Sequence, residues 1–127
     1  MRLTRRYAVF MSETGTDCLF CRIVARDVPA DVVHETDTIL AFRDIAPHAP
    51  VHVLVVPKQH QDTAVDTARD NPEVLADVLL AAGDVARAEG LEQGYRLVVN
   101  PGPDAGQTIF HTHVHVLGGR PMTSPMA

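Results

Sequence analysis

Three histidines occupy alternate positions in His111-Thr112-His113-Val114-His115, inside an apolar segment from Ile109 to Leu117. Successive side chains on a β-strand point to opposite faces, so 111, 113 and 115 are expected to project together, about 6–7 Å apart. Phe110, Thr112, Val114 and Val116 would then face the core. Three imidazoles so placed would crowd their charges if all were protonated. Such a row suits metal chelation or attack by a neutral imidazole on electrophilic phosphorus, with its neighbours acting as acid or cation. A pH-responsive or purely structural strand is the third reading.

The remaining histidines are His34, His48, His52 and His60, and the two cysteines, Cys18 and Cys21, have C-x-x-C spacing. His52 shares a strand face with Leu54 and Val56, where it could converge on the row across a sheet or simply be a polar strand-end residue. His34 and His48 read as exposed loop or edge residues. In a cytosolic chain the cysteines favour a metal or redox role over a disulfide; two unrelated small residues on a short helix would also fit. No strand precedes them, which disfavours a thioredoxin-like motif. The glycines of Gly102-Pro-Asp-Ala-Gly106 come with neither a Walker lysine nor Rossmann spacing, so that loop reads as a turn presenting Gln107 and Thr108.

The elements that must position these groups are legible from periodicity. Cys18 to Arg26 has a partial helical stripe of Phe20, Ile23 and Val24, with Asp17 as N-cap and Pro29-Ala30 as breaker. Val32–His34 and Thr38–Arg43 read as strands joined through Glu35-Thr36-Asp37, and Val51–Val56 as a strand ended by Pro57. A long helix starts with Asn71 as cap, Pro72 at its first position and Glu73 at the positive end of the dipole. Val74, Leu75, Val78, Leu79, Ala82, Val85 and Ala86 form its stripe, and Gly90 terminates it. Tyr95–Asn100 is the next strand, before the histidine strand. Short helix, three strands, long helix, two strands: this order predicts an antiparallel α+β domain.

At 127 residues the chain fits one domain with a real core, and 46% hydrophobic with 21% charged residues is ordinary for a soluble protein. A net charge of −5 argues against a broad surface for nucleic acid polymers, though not against one nucleotide in a pocket. No apolar run approaches the roughly 18–20 residues that span a bilayer. Arg2, Arg5 and Arg6 before Tyr7–Met11 superficially resemble a signal peptide, but the apolar run is short and no small-residue cleavage site follows. Residues 1–16 are expected to be a disordered extension, with Met11 the functional start; 17–120 form the domain and 121–127 a tail. The chain is expected to be cytoplasmic.

His111-Thr-His-Val-His-Val116 followed by Leu117-Gly-Gly119 closely resembles the signature of the histidine triad (HIT) superfamily. Cys18-Leu-Phe-Cys-Arg-Ile23, Leu40-Ala-Phe-Arg-Asp-Ile45, Ala49-Pro-Val-His52, Val55-Val-Pro-Lys-Gln-His60 and Gly94-Tyr-Arg-Leu-Val-Val-Asn100 match in order, and the stretch looks like the HINT branch of nucleoside phosphoramidases. The resemblance implies the HIT fold: a homodimer whose protomers each carry a five-stranded antiparallel sheet with one long and one short helix. It implies cleavage of purine nucleoside phosphoramidates or related nucleotidyl conjugates through a nucleotidyl-histidine on His113, with His115 and His52 at the phosphate and no catalytic metal required. Asp44 would hold the ribose; Asn100, Gln107 and Thr108 would line the phosphate site; Phe20, Phe42, Ile45 and Leu54 would enclose the base. Cys18, Cys21, His60 and His111 would hold a structural zinc. The chain has no Trp, and its tail lacks the aromatic ending of many eukaryotic relatives. Gly106-Gln107-Thr108 also occurs in dinucleoside polyphosphate hydrolases, which keeps that activity open, as it does a nucleotide-binding regulator with incidental catalysis.

Overall fold

A computed structural model describes residues 17–123. The expected extension over 1–16 and tail residues 124–127 lie outside the described residues. The elements run α1 (Leu19–Val24), β1 (Val32–Glu35), β2 (Ile39–Arg43), β3 (Val51–Pro57), α2 (Ala64–Asp70), α3 (Pro72–Ala88), β4 (Arg96–Val98) and β5 (Val114–Gly118). All neighbouring strands pair antiparallel, in the order β1-β2-β3-β5-β4, so the predicted five-stranded α+β architecture is present. No helix among the described residues is long and apolar enough to cross a membrane.

The two-residue period of the strands sorts their side chains between two cores. Ile39, Ala41, Val53, Val55, Val114 and Val116 pack with Val78, Ala82, Val85 and Ala86 of α3. Leu40, Phe42, Leu54 and Val56 point to the other side, where Phe20 and Ile23 of α1 cover them. Burial on both faces explains why β2 and β3 read as unbroken apolar runs rather than alternating ones. The site residues belong to the α1 side: His115 stands opposite Leu54 in the β3–β5 register, and His52 two residues before Leu54.

Local chemistry accounts for most element ends, with some differences from the sequence reading. Gly90, at φ 77°, follows α3 in the left-handed conformation expected of a terminating glycine. Cys18, not Asp17, caps α1, its sulfur accepting from the Cys21 amide at 3.3 Å. Asn71 stands at the N-cap of α3, yet its side chain donates to Gln59 Oε1 at 2.9 Å instead of capping. Leu79 is exposed and Ala81 is buried, because the sheet contacts α3 along 78, 81, 82, 85 and 86. Leu79 lies about 100° round the helix from the first of these.

Two departures matter for the site. The expectation of one long and one short helix misses α2, whose Thr63 N-cap accepts from the Asp66 amide at 3.1 Å and donates to the Asp66 carboxylate at 2.9 Å. The strand β5 begins only at Val114, so the strict alternation read across Ile109–Leu117 stops there. Phe110, expected in the core, is 42% exposed, since no strand pairs with it.

Candidate active site and metal centre

The histidine tract is held from its back. The Thr112 amide donates to the Gln61 carbonyl at 2.8 Å, and the buried hydroxyls of Thr112 and Thr67 share a 2.7 Å hydrogen bond. The Gln61 carbonyl, just before α2, thus supplies the backbone partner that strand pairing supplies further along, and Thr67 of α2 holds the side chain. With Thr112 pinned this way, the rings of His111 and His113 meet the edge of Phe20, at centroid separations of 5.9 and 5.2 Å. From there the histidines part into two groups.

His111 is fully buried, and its Nδ1 lies 3.3 Å from Cys18 Sγ and 3.5 Å from Cys21 Sγ. His60 Nδ1 lies 3.4 Å from Cys21 Sγ. The far nitrogens fix the tautomers: His111 Nε2–H donates to the Pro57 carbonyl at 2.7 Å, and His60 Nε2–H to the Asp62 carboxylate at 3.2 Å. Both Nδ1 lone pairs therefore face the sulfurs. The Cys18 thiol is pushed down to about 3, chiefly by its hydrogen bond with Cys21 and also by His111, against the opposing effect of burial. A tetrahedral zinc with Zn–S of about 2.3 Å and Zn–N of about 2.0–2.1 Å separates sulfur from nitrogen by about 3.5–3.6 Å. The donors Cys18, Cys21, His60 and His111 already stand near that spacing, within 4.8 Å of one another. Two thiolates and two imidazoles fit zinc and leave no position for substrate.

The second group holds His113, His115, His52 and Asp44. His113 Nδ1–H donates to the His111 carbonyl at 2.8 Å, which leaves the Nε2 lone pair uncommitted. The His48 amide can only donate, so at 3.1 Å it fixes His52 Nδ1 as acceptor. Neutral His52 then carries its proton on Nε2 and donates to His115 Nδ1 at 2.9 Å, leaving the His115 proton on Nε2. Burial depresses the basicity of all three rings. It pushes His115 down to about 4, helped by repulsion from His113 and His52, and it lowers His52 and His113 against a partial opposing pull from Asp44. Neutral imidazoles at pH 7 follow. The Asp44 carboxylate lies 3.5 Å from His52 Nε2, and its other oxygen accepts from the Ala46 amide at 2.8 Å.

The remaining predicted residues are distributed unevenly. Phe20, Phe42 and Leu54 are buried in the α1-side core, Phe20 and Phe42 edge to face at 5.5 Å, while Ile45 beside Asp44 is fully exposed. Asn100 donates to the Ala105 carbonyl at 2.9 Å, and Thr108 is exposed at the end of the same loop. Gln107 is buried with its amide fully engaged: it donates to the carbonyls of Asp62 and Ile109 at 2.7 and 3.0 Å and accepts from Gly102 at 2.8 Å. It ties the loop to the flank of the metal cluster. Sequence reasoning missed Thr67, Gln61 and Asp62. Thr63-Ala-Val-Asp66 is a capping signal that could have announced α2, but the long-range bonds of Gln61 and Asp62 leave no local mark.

A family profile described as HIT domain matches residues 25–122. An uncharacterized HIT-like protein of Synechococcus elongatus is 47% identical over 109 residues, covering 86% of this chain and 96% of that protein. The 14 kDa zinc-binding protein of Brassica juncea is 42% identical over 111 residues, covering 86% and 98%. The crystal structure of a HIT family hydrolase from Legionella pneumophila superimposes with a TM-score of 0.82 at 51% identity, covering 87% of this chain and 99% of that one.

Proposed function

The chain belongs to the HIT family, and on that premise we propose that it is a nucleotide hydrolase or transferase working through a nucleotidyl-histidine on His113. One observation carries this reading. His113 is the ring whose Nδ1–H is tied to a backbone carbonyl while its Nε2 is free, beside two neutral histidines joined in a donor chain. The Nε2 lone pair attacks the α-phosphorus, forming a P–N bond as the bond to the leaving group breaks. The leaving group departs with its electron pair and a proton drawn from solvent, steadied by a hydrogen bond from the neutral His115 Nε2–H. The positive charge on the nucleotidylated ring is steadied by the His111 carbonyl at Nδ1–H. Water then attacks phosphorus and releases its proton to solvent as the bond to His113 breaks, its electron pair returning to Nε2.

Purine nucleoside phosphoramidates and related nucleotidyl conjugates are the proposed substrates. Asp44 is the proposed ribose acceptor; Asn100 and Thr108 border the phosphates, and Gln107 holds that loop in place. Ile45 supplies apolar surface at the base. Zinc is the proposed ion for Cys18, Cys21, His60 and His111, where it closes the fold around α1 and supplies cross-linking rather than reaction chemistry. A second copy of the chain is the proposed partner, supported by the exposed Leu79 and Leu80 of α3 and Leu97 of the sheet-edge strand β4. Sedimentation should show a dimer that Leu80→Glu dissociates; a monomeric wild type overturns the assembly.

Trapping tests the chemistry. An adenosine phosphoramidate, mixed and quenched in acid-free conditions at early times, should leave an adenylyl adduct on the peptide bearing His113. An adduct on another residue, or turnover of diadenosine polyphosphate far above that of the phosphoramidate, would refute the nucleophile or the substrate class respectively.

A further inference from the structure

The carbonyl that holds His113 Nδ1–H is itself anchored from behind. The His111 carbonyl and the Thr112 N–H belong to one peptide unit and point in opposite directions across it. The carbonyl accepts from His113 Nδ1–H at 2.8 Å, and the N–H donates to the Gln61 carbonyl at 2.8 Å. A single peptide is thus the middle member of a line from Gln61 to the nucleophile. The Thr112 hydroxyl donates to the same Gln61 carbonyl at 3.3 Å, so in its 2.7 Å bond with Thr67 it is the acceptor. Gln61 lies outside every helix and strand, whereas Thr67 sits within α2, its N–H bonded to the Thr63 carbonyl at 3.0 Å. Of these two supports, Thr67 is the one fixed by a helix.

We infer that Thr67 is a positioning residue for the nucleophile, anchoring through the Thr112 hydroxyl the peptide whose carbonyl holds His113 Nδ1–H. Thr67 and Thr112 are both buried. Two facing valines would fill the same space without burying two hydroxyls, so the pair contributes direction rather than apolar burial. Val114 and Val116, next along the tract, are valines and pack on α3. Direction matters because the His113 ring becomes a cation when Nε2 is nucleotidylated, and a carbonyl aimed along its Nδ1–H stabilises that charge most. The bond from Thr112 N–H to Gln61 also polarises the carbonyl at the far end of the same peptide and strengthens it as an acceptor. The Pro57 carbonyl grips the neighbouring His111 at 2.7 Å, but it holds the ring, which turns about χ1 and χ2, and not the peptide plane. With the Thr67 hydroxyl removed, Thr112 keeps its place only through a loop carbonyl, and the His111 carbonyl shifts relative to His113. This role rests on the proposed chemistry only for its kinetic consequence; the hydrogen bond on Nδ1 is independent of any substrate.

The test compares wild type, Thr67→Val and Thr67→Ser, each as the full chain loaded with zinc. Valine keeps the shape and removes the hydroxyl; serine keeps the hydroxyl and removes the methyl. Without nucleotide, 15N-edited NMR should find His113 Nδ1–H in slow exchange with water in the wild type and about tenfold faster in Thr67→Val. Thr67→Ser should match the wild type. With an adenosine phosphoramidate, Thr67→Val should lower kcat about tenfold, the rate equivalent of one weakened hydrogen bond to a charged group. KM should barely change, and Thr67→Ser should restore kcat. An unchanged exchange rate or an unchanged kcat in Thr67→Val overturns the inference. So does a Thr67→Ser as impaired as Thr67→Val, which makes the methyl and not the hydroxyl responsible. Should Thr67→Val not fold, Thr67→Val combined with Thr112→Val takes its place, since that pair leaves no buried hydroxyl unpaired, and the same readings decide. Accelerated exchange in Thr67→Val beside a wild type that turns over no nucleotide conjugate overturns the proposed function instead and leaves the anchoring role standing.

Discussion

The two histidine groups lie side by side on the same face of the sheet, touch the same Phe20 ring, and are made largely of the same residue type. What separates them is the near nitrogen of each ring. In the cysteine group, His111 and His60 tie Nε2 to oxygen and turn Nδ1 toward two thiols, so every lone pair meets inside one closed cluster. In the other group, His113 reverses the arrangement, tying Nδ1 and leaving Nε2 free, while His52 and His115 pass one hydrogen bond between them. The lesson is that a histidine's role is set by whichever acceptor takes its far N–H. The Pro57 carbonyl on Nε2 leaves His111 Nδ1 facing the sulfurs; the His111 carbonyl on Nδ1 leaves His113 Nε2 open.

The comparison breaks most sharply at His113. His113→Ala should lower turnover of a nucleoside phosphoramidate by at least about 10⁴-fold, while metal analysis finds zinc content unchanged. Loss of zinc together with activity would mean the groups are one site. The converse is metal removal. A strong chelator, or Cys18→Ala, should lower the thermal midpoint by on the order of 10 °C or more, because a closed ion contributes several kcal/mol to folding. Turnover per folded molecule, measured well below the new midpoint, should fall far less than in His113→Ala; equal losses would deny the division between structural and reactive groups.

The smallest effect comes from pH. His52, His113 and His115 take up protons less readily when folded than at the ordinary value near 6.5, His115 only at about 4. Between those values the unfolded chain binds protons that the folded rings refuse, so the stability these three histidines contribute is fully present above pH about 6.5 and declines as pH falls toward 4. Urea midpoints at pH 7 and 5 should show the decline, and His115→Gln should make it shallower. The chelator-treated protein should keep this slope, since these rings belong to the group without the thiols.

Much of the fold was visible in the chain because its signals are local. The stripe of α3, its Pro72 and Gly90, the runs of β2 and β3, and the turns between them each depend on a few adjacent residues. α2 was not visible, since Ala64 to Asp70 buries only Ala64 and Thr67 and so has no stripe to read. The base-enclosing roles expected of Phe20 and Phe42 come from the family resemblance; the structure adds that both rings pack in the core over β2. The family resemblance is what puts Gln107 at the phosphate site. Its three bonds to backbone groups are contacts that only the folded chain brings within reach.

By itself the sequence determined the class of the domain, the order of its strands with α1 and α3, and the residues that could do chemistry. Residue type fixes proton affinity and ligand character, and periodicity fixes which face a side chain takes. Only the tertiary structure decided which nitrogen of each histidine carries the proton. Which nitrogen carries a proton depends on carbonyls and amides from Pro57, His111 and His48, two of which lie more than fifty residues away in the chain from the ring they steer or from the ring that answers it. Periodicity would have left His111, His113 and His115 equivalent. Their surroundings differ because β5 begins after the first two, where Gln61, Thr67 and Phe20 rather than a neighbouring strand flank the chain.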